Sequence, residues 1–207
     1  MIKDKSIQEF LDELASRAST PGGGSAAAVM GAVGAALVSM VGNFTLGKKG
    51  CESVESEMRE LLDASEDLRA RLTDMIRQDV EAFDGVMAAY GMPRDTEAQK
   101  SARSAAIQAA LKVAADVPLA CARLCADVIR LTSPMARDGN RNVISDAGVA
   151  VLAAEAALRS AALNVYVNLG AIKDPEFTDS RQAQLAAVLD GTRELTEEVY
   201  AIVKGRM

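Results

Sequence analysis

Apolar positions recur along this chain at three- and four-residue steps, in six blocks. No segment alternates between apolar and polar long enough to predict a strand. The first block, Ser6 to about Arg17, sets Ile7, Phe10, Leu11 and Leu14 on one stripe. The second, Ser25 to about Leu46, is apolar on nearly all sides and predicts the most buried helix. A long amphipathic helix follows from about Cys51 to Ala89, carrying Leu61, Leu68, Leu72, Ile76, Val80 and Phe83, and Gly91 with Pro93 ends it. Thr96-x-x-Gln99 reads as a capping box opening a fourth helix that continues towards Met135. Inside it Pro118 removes a backbone hydrogen bond, which predicts a kink near Ala114 to Pro118. An Ala-rich helix spans about Ser145 to Leu169, and Asp174-Pro175 suits the cap and first position of a last helix ending near Lys204. With no low-complexity linker or break in composition, the pattern predicts an all-α fold. It is expected to be one domain over residues 1–207, built from about six long, roughly antiparallel helices.

Composition supports this picture. Nearly half of the 207 residues are apolar and only 3% are aromatic, which suits closely approaching helices better than a β-sandwich. Small residues at Ala27, Gly31, Ala35 and Ser39 repeat every fourth position, as in packed membrane helices. That segment is marginally short for a span and only weakly hydrophobic, so a helix at the centre of a bundle or dimer explains it, and no membrane partner is expected. A net charge of −6 and scarce aromatics argue against nucleic acid. The chain has no histidine, which excludes Ser-His-Asp and Cys-His catalysis and any His-containing metal site from this chain alone. No metal site is expected. Cys51, Cys121 and Cys125 are odd in number, lack zinc-site spacing and read as buried thiols. Without a disulfide framework or a basic segment before an apolar core, a cytoplasmic location is expected.

Two polar clusters interrupt the helical pattern. The first is Thr20-Pro21-Gly22-Gly23-Gly24-Ser25. Consecutive glycines let backbone N–H groups approach a ligand closely, and a helix starting at Ser25 aims its positive dipole end at the same place. A simple turn with Ser25 as N-cap is the alternative. The second is Gly139-Asn140-x-Asn142-x-x-Ser145-Asp146, where amides precede a carboxylate on an otherwise apolar helix. Either Ser145 or Asp146 caps that helix, or Asp146 stands at the mouth of a pocket. Lys48 and Lys49 follow the small-residue helix, where cations suit its C-terminal carbonyls. Asp79 and Asp84 flank Phe83 and read as either solvated or functional carboxylates. Asn164 and Asn168 lie one turn apart on an apolar helix, and such amides need partners: another helix, or a heterocycle.

The order and spacing of several motifs carry a resemblance across essentially the whole chain. They are Pro21-Gly22-Gly23-Gly24-Ser25, Lys48-Lys49, Asp79-x-x-Ala82-Phe83, Val117-Pro118-Leu119, Gly139-Asn140 with Ser145-Asp146, and Asn164-Val165 with Asn168. The chain resembles the cyclodeaminase/cyclohydrolase family that acts on one-carbon tetrahydrofolates. The resemblance implies an all-helical homodimer with a tetrahydrofolate derivative as substrate and no bound cofactor. It implies hydrolysis of 5,10-methenyltetrahydrofolate to 10-formyltetrahydrofolate, with formiminotetrahydrofolate cyclodeamination as the alternative and a non-catalytic helical scaffold as a third reading. On this basis Asp146 is expected to be the acid/base or water-positioning residue, oriented by Ser145 and Asn140. The glycine loop and Ser25 are expected to bind substrate and Lys48 or Lys49 to draw in its anionic tail. Asp79 is a candidate for the guanidine-like pterin edge. Asn142, Asn164 and Asn168 complete the expected binding set.

Overall fold

The computed structural model describes residues 4–207. It is all-α, with no strand among the described residues. Helices α1 (Ile7–Leu14), α2 (Gly23–Thr45), α3 (Glu55–Tyr90), α4 (Glu97–Asp138), α5 (Ile144–Leu169), α6 (Pro175–Leu189) and α7 (Thr192–Arg206) follow in chain order. Five of the six sequence blocks each produce one helix. The sixth is divided by a turn at Asp190-Gly191, where Gly191 adopts φ 69°, a left-handed conformation that glycine alone takes without steric cost.

Side-chain caps set three of the seven helix starts among the described residues. Ser6 and Glu9 form a reciprocal capping box at α1, Thr96 and Gln99 do the same at α4, and Asp174 accepts from Phe177 N ahead of Pro175 at α6. The expected start of α3 at Cys51 is instead a short 3₁₀ turn, Glu52–Val54, before the helix proper. The apolar stripe of α1 remains at the surface, with no residue of that helix buried.

Helix α2 lies at the centre, packed against α3, α4 and α5. Its small residues make this possible. A Cβ on Gly31 would fall 2.9 Å from Cys125 Sγ and 3.0 Å from a Leu72 methyl, and one on Gly34 would fall 3.1 Å from the Ala150 carbonyl. The contacts of Gly23 with Asn164 and of Gly34 with Ala150 and Ala154 run in opposite senses, so α2 and α5 are antiparallel. Around them Leu72, Leu119, Ile129, Leu158 and Leu185 are fully buried, each worth about 1.5–3 kcal/mol of apolar burial.

The fourth helix runs unbroken through Pro118 and Pro134 to Asp138. Pro118 lacks the N–H that would bond the Ala114 carbonyl. Asn168 Nδ2 on α5 donates to that carbonyl at 2.9 Å, so the neighbouring helix replaces the missing bond. At the other end α7 is latched down: the Arg206 guanidinium donates to the Ala136 and Gly139 carbonyls, and Arg141 Nε donates to the Arg206 carbonyl at 2.7 Å.

By length and composition Gly23–Thr45, Glu97–Asp138 and Arg141–Leu169 are apolar enough to cross a membrane. About half of the most apolar stretch of each is buried inside the bundle, so the core accounts for much of this character. Large apolar side chains left exposed on these segments include Val113 on α4 and, on one face each of α2 and α5, Val33, Met40 and Phe44, and Leu152, Leu163 and Tyr166.

Candidate active site

The glycine loop opens α2 earlier than the sequence suggested. The helix starts at Gly23, with Gly22 as a cap that has no side chain to offer. Its first backbone bond is Ala26 N to the Gly22 carbonyl, at 3.0 Å, so the N–H groups of Gly23, Gly24 and Ser25 have no partner within the helix. Ser25 is therefore not the N-cap. It sits inside the first turn, fully buried, and its hydroxyl donates to Asp79 Oδ2 on α3 at 2.7 Å.

Gly24 is required by how close that carboxylate comes. A Cβ there would lie 2.0 Å from Asp79 Oδ1. Asp79, half-buried, thus stands directly beside the unpaired donors of α2, where the helix dipole favours negative charge. Met75, Val117, Pro118, Cys121 and Ala161 complete a narrow cleft around it. The cleft offers only about 10 Å³, room for roughly one water.

Asn164 also faces this loop, with its amide 3.6 Å from where a Gly23 Cβ would sit, while its Nδ2 donates to the Ser160 carbonyl at 2.9 Å. Asn168 is occupied elsewhere. Both of its hydrogen bonds are to backbone carbonyls, Ala114 and Asn164, which makes it a helix-to-helix strut rather than a ligand contact. Met75 and Cys121 were not singled out in the sequence as site residues. Their signal is helical spacing alone: Met75 lies one turn before Asp79, and Cys121 three residues after Pro118. Cys121 and Cys125 are free thiols, and a hydrogen bond with Cys121 together with burial pushes the Cys125 thiol well above its ordinary range, so it stays protonated. Cys51, expected to be buried, is half-exposed.

The second polar cluster lies at the opposite end of the bundle. From Gly24 to Thr45 along α2 is about 32 Å, and from Ala161 back to Asp146 along α5 about 22 Å. Within one chain, then, Lys48, Lys49, Asn140, Asn142, Ser145 and Asp146 do not share a pocket with the glycine loop.

Nor do the expected partners orient Asp146. Asn140 is buried and fully engaged: its Nδ2 donates to the Phe44 carbonyl at 2.7 Å, its Oδ1 accepts from Asn142 N at 3.1 Å, and its own N–H reaches Thr45 Oγ1 at 2.9 Å. It ties the end of α2 to the α4–α5 connection. Helix α5 follows a 3₁₀ turn, Arg141–Val143, and its cap position is Val143, so neither Ser145 nor Asp146 caps it. Ser145 and Asn142 are exposed, and Asp146 is half-buried with no hydrogen bond or ion pair among the described residues. Lys48 and Lys49 are exposed and unpaired among the described residues, and Asp84 is exposed. No group of three or more acidic or cysteine side chains among the described residues is arranged to hold a metal ion.

Sequence and fold together place this chain among known proteins. The chain belongs to the formiminotransferase-cyclodeaminase family, whose model matches residues 6–187. It is 55% identical over 207 residues, covering all of both chains, to the methenyltetrahydrofolate cyclohydrolase of Methylorubrum extorquens. It is 32% identical over 203 residues to rat formimidoyltransferase-cyclodeaminase, where the match covers 98% of this chain and 38% of that longer one. The crystal structure of formiminotetrahydrofolate cyclodeaminase from Thermotoga maritima superposes with a TM-score of 0.85 at 35% identity, covering 100% of this chain and 97% of that one.

Proposed function

We propose that this protein is a methenyltetrahydrofolate cyclohydrolase in which Asp79, not Asp146, is the carboxylate that handles protons within its own chain. The observation that carries this is the 2.7 Å contact between Ser25 Oγ and Asp79 Oδ2 at the open end of α2. The substrate is a cationic amidinium spanning N5 and N10. Water adds to the bridging carbon, and as the C–O bond forms Asp79 takes one proton from the water. As the C–N5 bond breaks, that proton passes to N5, while the remaining hydroxyl proton leaves to solvent and the formyl group stays on N10. The carboxylate attracts the cationic ring, and the Ser25 hydroxyl keeps it aimed. The unpaired N–H groups of Gly23, Gly24 and Ser25 suit a neutral or developing oxygen. The Methylorubrum relative, matching end to end at 55% identity, favours hydrolysis over ammonia release.

The exposed apolar face of α2 and α5 supports a homodimer. A two-fold axis lying in that face, perpendicular to the helices, sets each α2 antiparallel to its copy. That arrangement brings the glycine-loop end of one subunit beside the Asn140–Asp146 end of the other, and Asp146 becomes a second carboxylate of a shared site.

One experiment tests both parts. Loss of 5,10-methenyltetrahydrofolate absorbance is followed for D79N, D146N and an equimolar refolded mixture. D79N loses about 10²- to 10⁴-fold in kcat/KM. Wild-type rates in folded D79N refute the role of Asp79. If the site is shared, D146N is also impaired and the mixture regains activity, because mixed dimers hold one site with both carboxylates intact. An inactive mixture of two impaired variants, or a fully active D146N, refutes the sharing. Ammonia release from 5-formiminotetrahydrofolate at a higher kcat/KM than hydrolysis refutes the cyclohydrolase reading in favour of cyclodeamination.

A further inference from the structure

The cleft beside Asp79 draws its walls from four helices: Gly24 on α2, Met75 and Asp79 on α3, Pro118 and Cys121 on α4, and Ala161 on α5. One hydrogen bond fixes the register of the last two helices. Asn168 meets the Ala114 carbonyl, and on antiparallel helices seven residues along each brings Ala161 level with Cys121. Both side chains are out of bulk solvent, Ala161 completely and Cys121 with 3% exposed. A methyl group on one wall and a thiol on the other leave the space of about 10 Å³, the size of a single water.

Three polar groups border this space. Asp79 Oδ2 is taken by the Ser25 hydroxyl, while Oδ1, the oxygen that lies against Gly24, has no hydrogen bond among the described residues. The Gly24 N–H has no partner within its helix. The Cys121 sulfur is bonded to the protonated Cys125 thiol, and a sulfur has a second lone pair to offer as a weak acceptor. Two acceptors and one donor match a water molecule that is about to react. Its hydrogens go to Asp79 Oδ1 and Cys121 Sγ, one lone pair accepts from the Gly24 N–H, and the other is left for attack. Ammonia, with a single lone pair, would spend it on the Gly24 N–H.

We infer that this cleft is the seat of the hydrolytic water, with Cys121 as a direct contact of that water and Ala161 as the wall that limits the seat to one molecule. The inference rests on the cyclohydrolase reading and deepens it. With the substrate across the mouth, the free lone pair forms the C–O bond and Asp79 takes the hydrogen it holds. That proton returns to N5 as the C–N5 bond breaks, and the remaining one leaves to solvent as the formyl group forms on N10. Cys121 makes and breaks no bond. It orients the water, so its loss acts on turnover and not on the grip on folate.

The test uses C121V, which is close to cysteine in size but has no sulfur, C121S, which keeps an acceptor, and A161V, which fills the seat from the opposite wall. Each is measured for thermal unfolding, for kcat and KM on 5,10-methenyltetrahydrofolate, and for calorimetric binding of tetrahydrofolate, which lacks the reacting carbon. C121V is expected to lower kcat about tenfold to a hundredfold, with KM and tetrahydrofolate affinity within about twofold of wild type, and C121S to stay within about threefold in kcat. A161V lowers kcat at least as far as C121V; should it fail to fold, the two Cys121 variants decide. A folded C121V with wild-type kcat overturns the inference. So does C121S impaired as deeply as C121V, and so does a parallel loss of kcat and tetrahydrofolate affinity, which would set Cys121 against the folate itself. Any of these in an enzyme whose wild type hydrolyses the substrate defeats the water seat alone. A wild type that releases ammonia from 5-formiminotetrahydrofolate and does not hydrolyse the methenyl compound defeats the cyclohydrolase reading, and the seat with it.

Discussion

The two ends of α2 carry similar sequence signals and have opposite characters. At its start, glycines and a serine leave three backbone donors unpaired and press against a carboxylate. At its finish, Gly139 and Asn140 close over the helix end, and the Asn140 side-chain amide and backbone N–H are bonded to the protein itself. Free donors at a helix start leave room for a ligand to accept from them, whereas a satisfied polar cluster holds the fold. The two glycines show the same division. A Cβ on Gly24 meets the movable carboxylate of Asp79, while one on Gly139 would lie 2.4 Å from the Met135 carbonyl and 2.8 Å from a Val41 methyl, in backbone and core that have nowhere to go.

Three substitutions break or sharpen this contrast. G24A is expected to have the largest effect, on activity: Asp79 is forced off Ser25, and kcat/KM falls about a hundredfold or more. Because alanine is the better helix former, thermal unfolding stays within a few degrees of wild type. A melting temperature that collapses would move Gly24 into the structural class. G139A does the reverse. Its clash with backbone and core costs about 1–3 kcal/mol in urea unfolding, while turnover per folded molecule stays within a few fold. Smaller again is N168A, which leaves the Ala114 carbonyl unpaired at a cost of about 1–2 kcal/mol. Introduced into P118A, where a backbone N–H is restored to that carbonyl, the same change should cost less than half as much. Equal costs in the two backgrounds would show that Asn168 does not serve the proline gap.

Much of the fold was legible from periodicity. The stripes of α3 and the capping boxes are local patterns, and local patterns survive into the structure because each turn satisfies its own hydrogen bonds. The break at Gly191 also had a signal, the Asp-Gly pair, which the Ala- and Leu-rich surroundings masked. Site assignment was less legible. Asp79 and Ser25 are 54 positions apart and nothing in their local sequence couples them. Asp146 looked more promising because amides surround it in sequence, yet the Asn140 amide bonds elsewhere and the Asn142 side chain is exposed.

From the chain alone came the helical class, the burial of the small-residue helix, the absence of histidine chemistry and the glycine loop as a place where donors gather. These follow from composition and short-range spacing. Only the tertiary structure decided which carboxylate meets that loop and which asparagine is a strut. It also decided that the two polar clusters stand at opposite ends of the bundle. The reason is the length of the helices: at 1.5 Å per residue, a 23-residue helix separates its own ends by more than 30 Å and draws together side chains from helices remote in sequence.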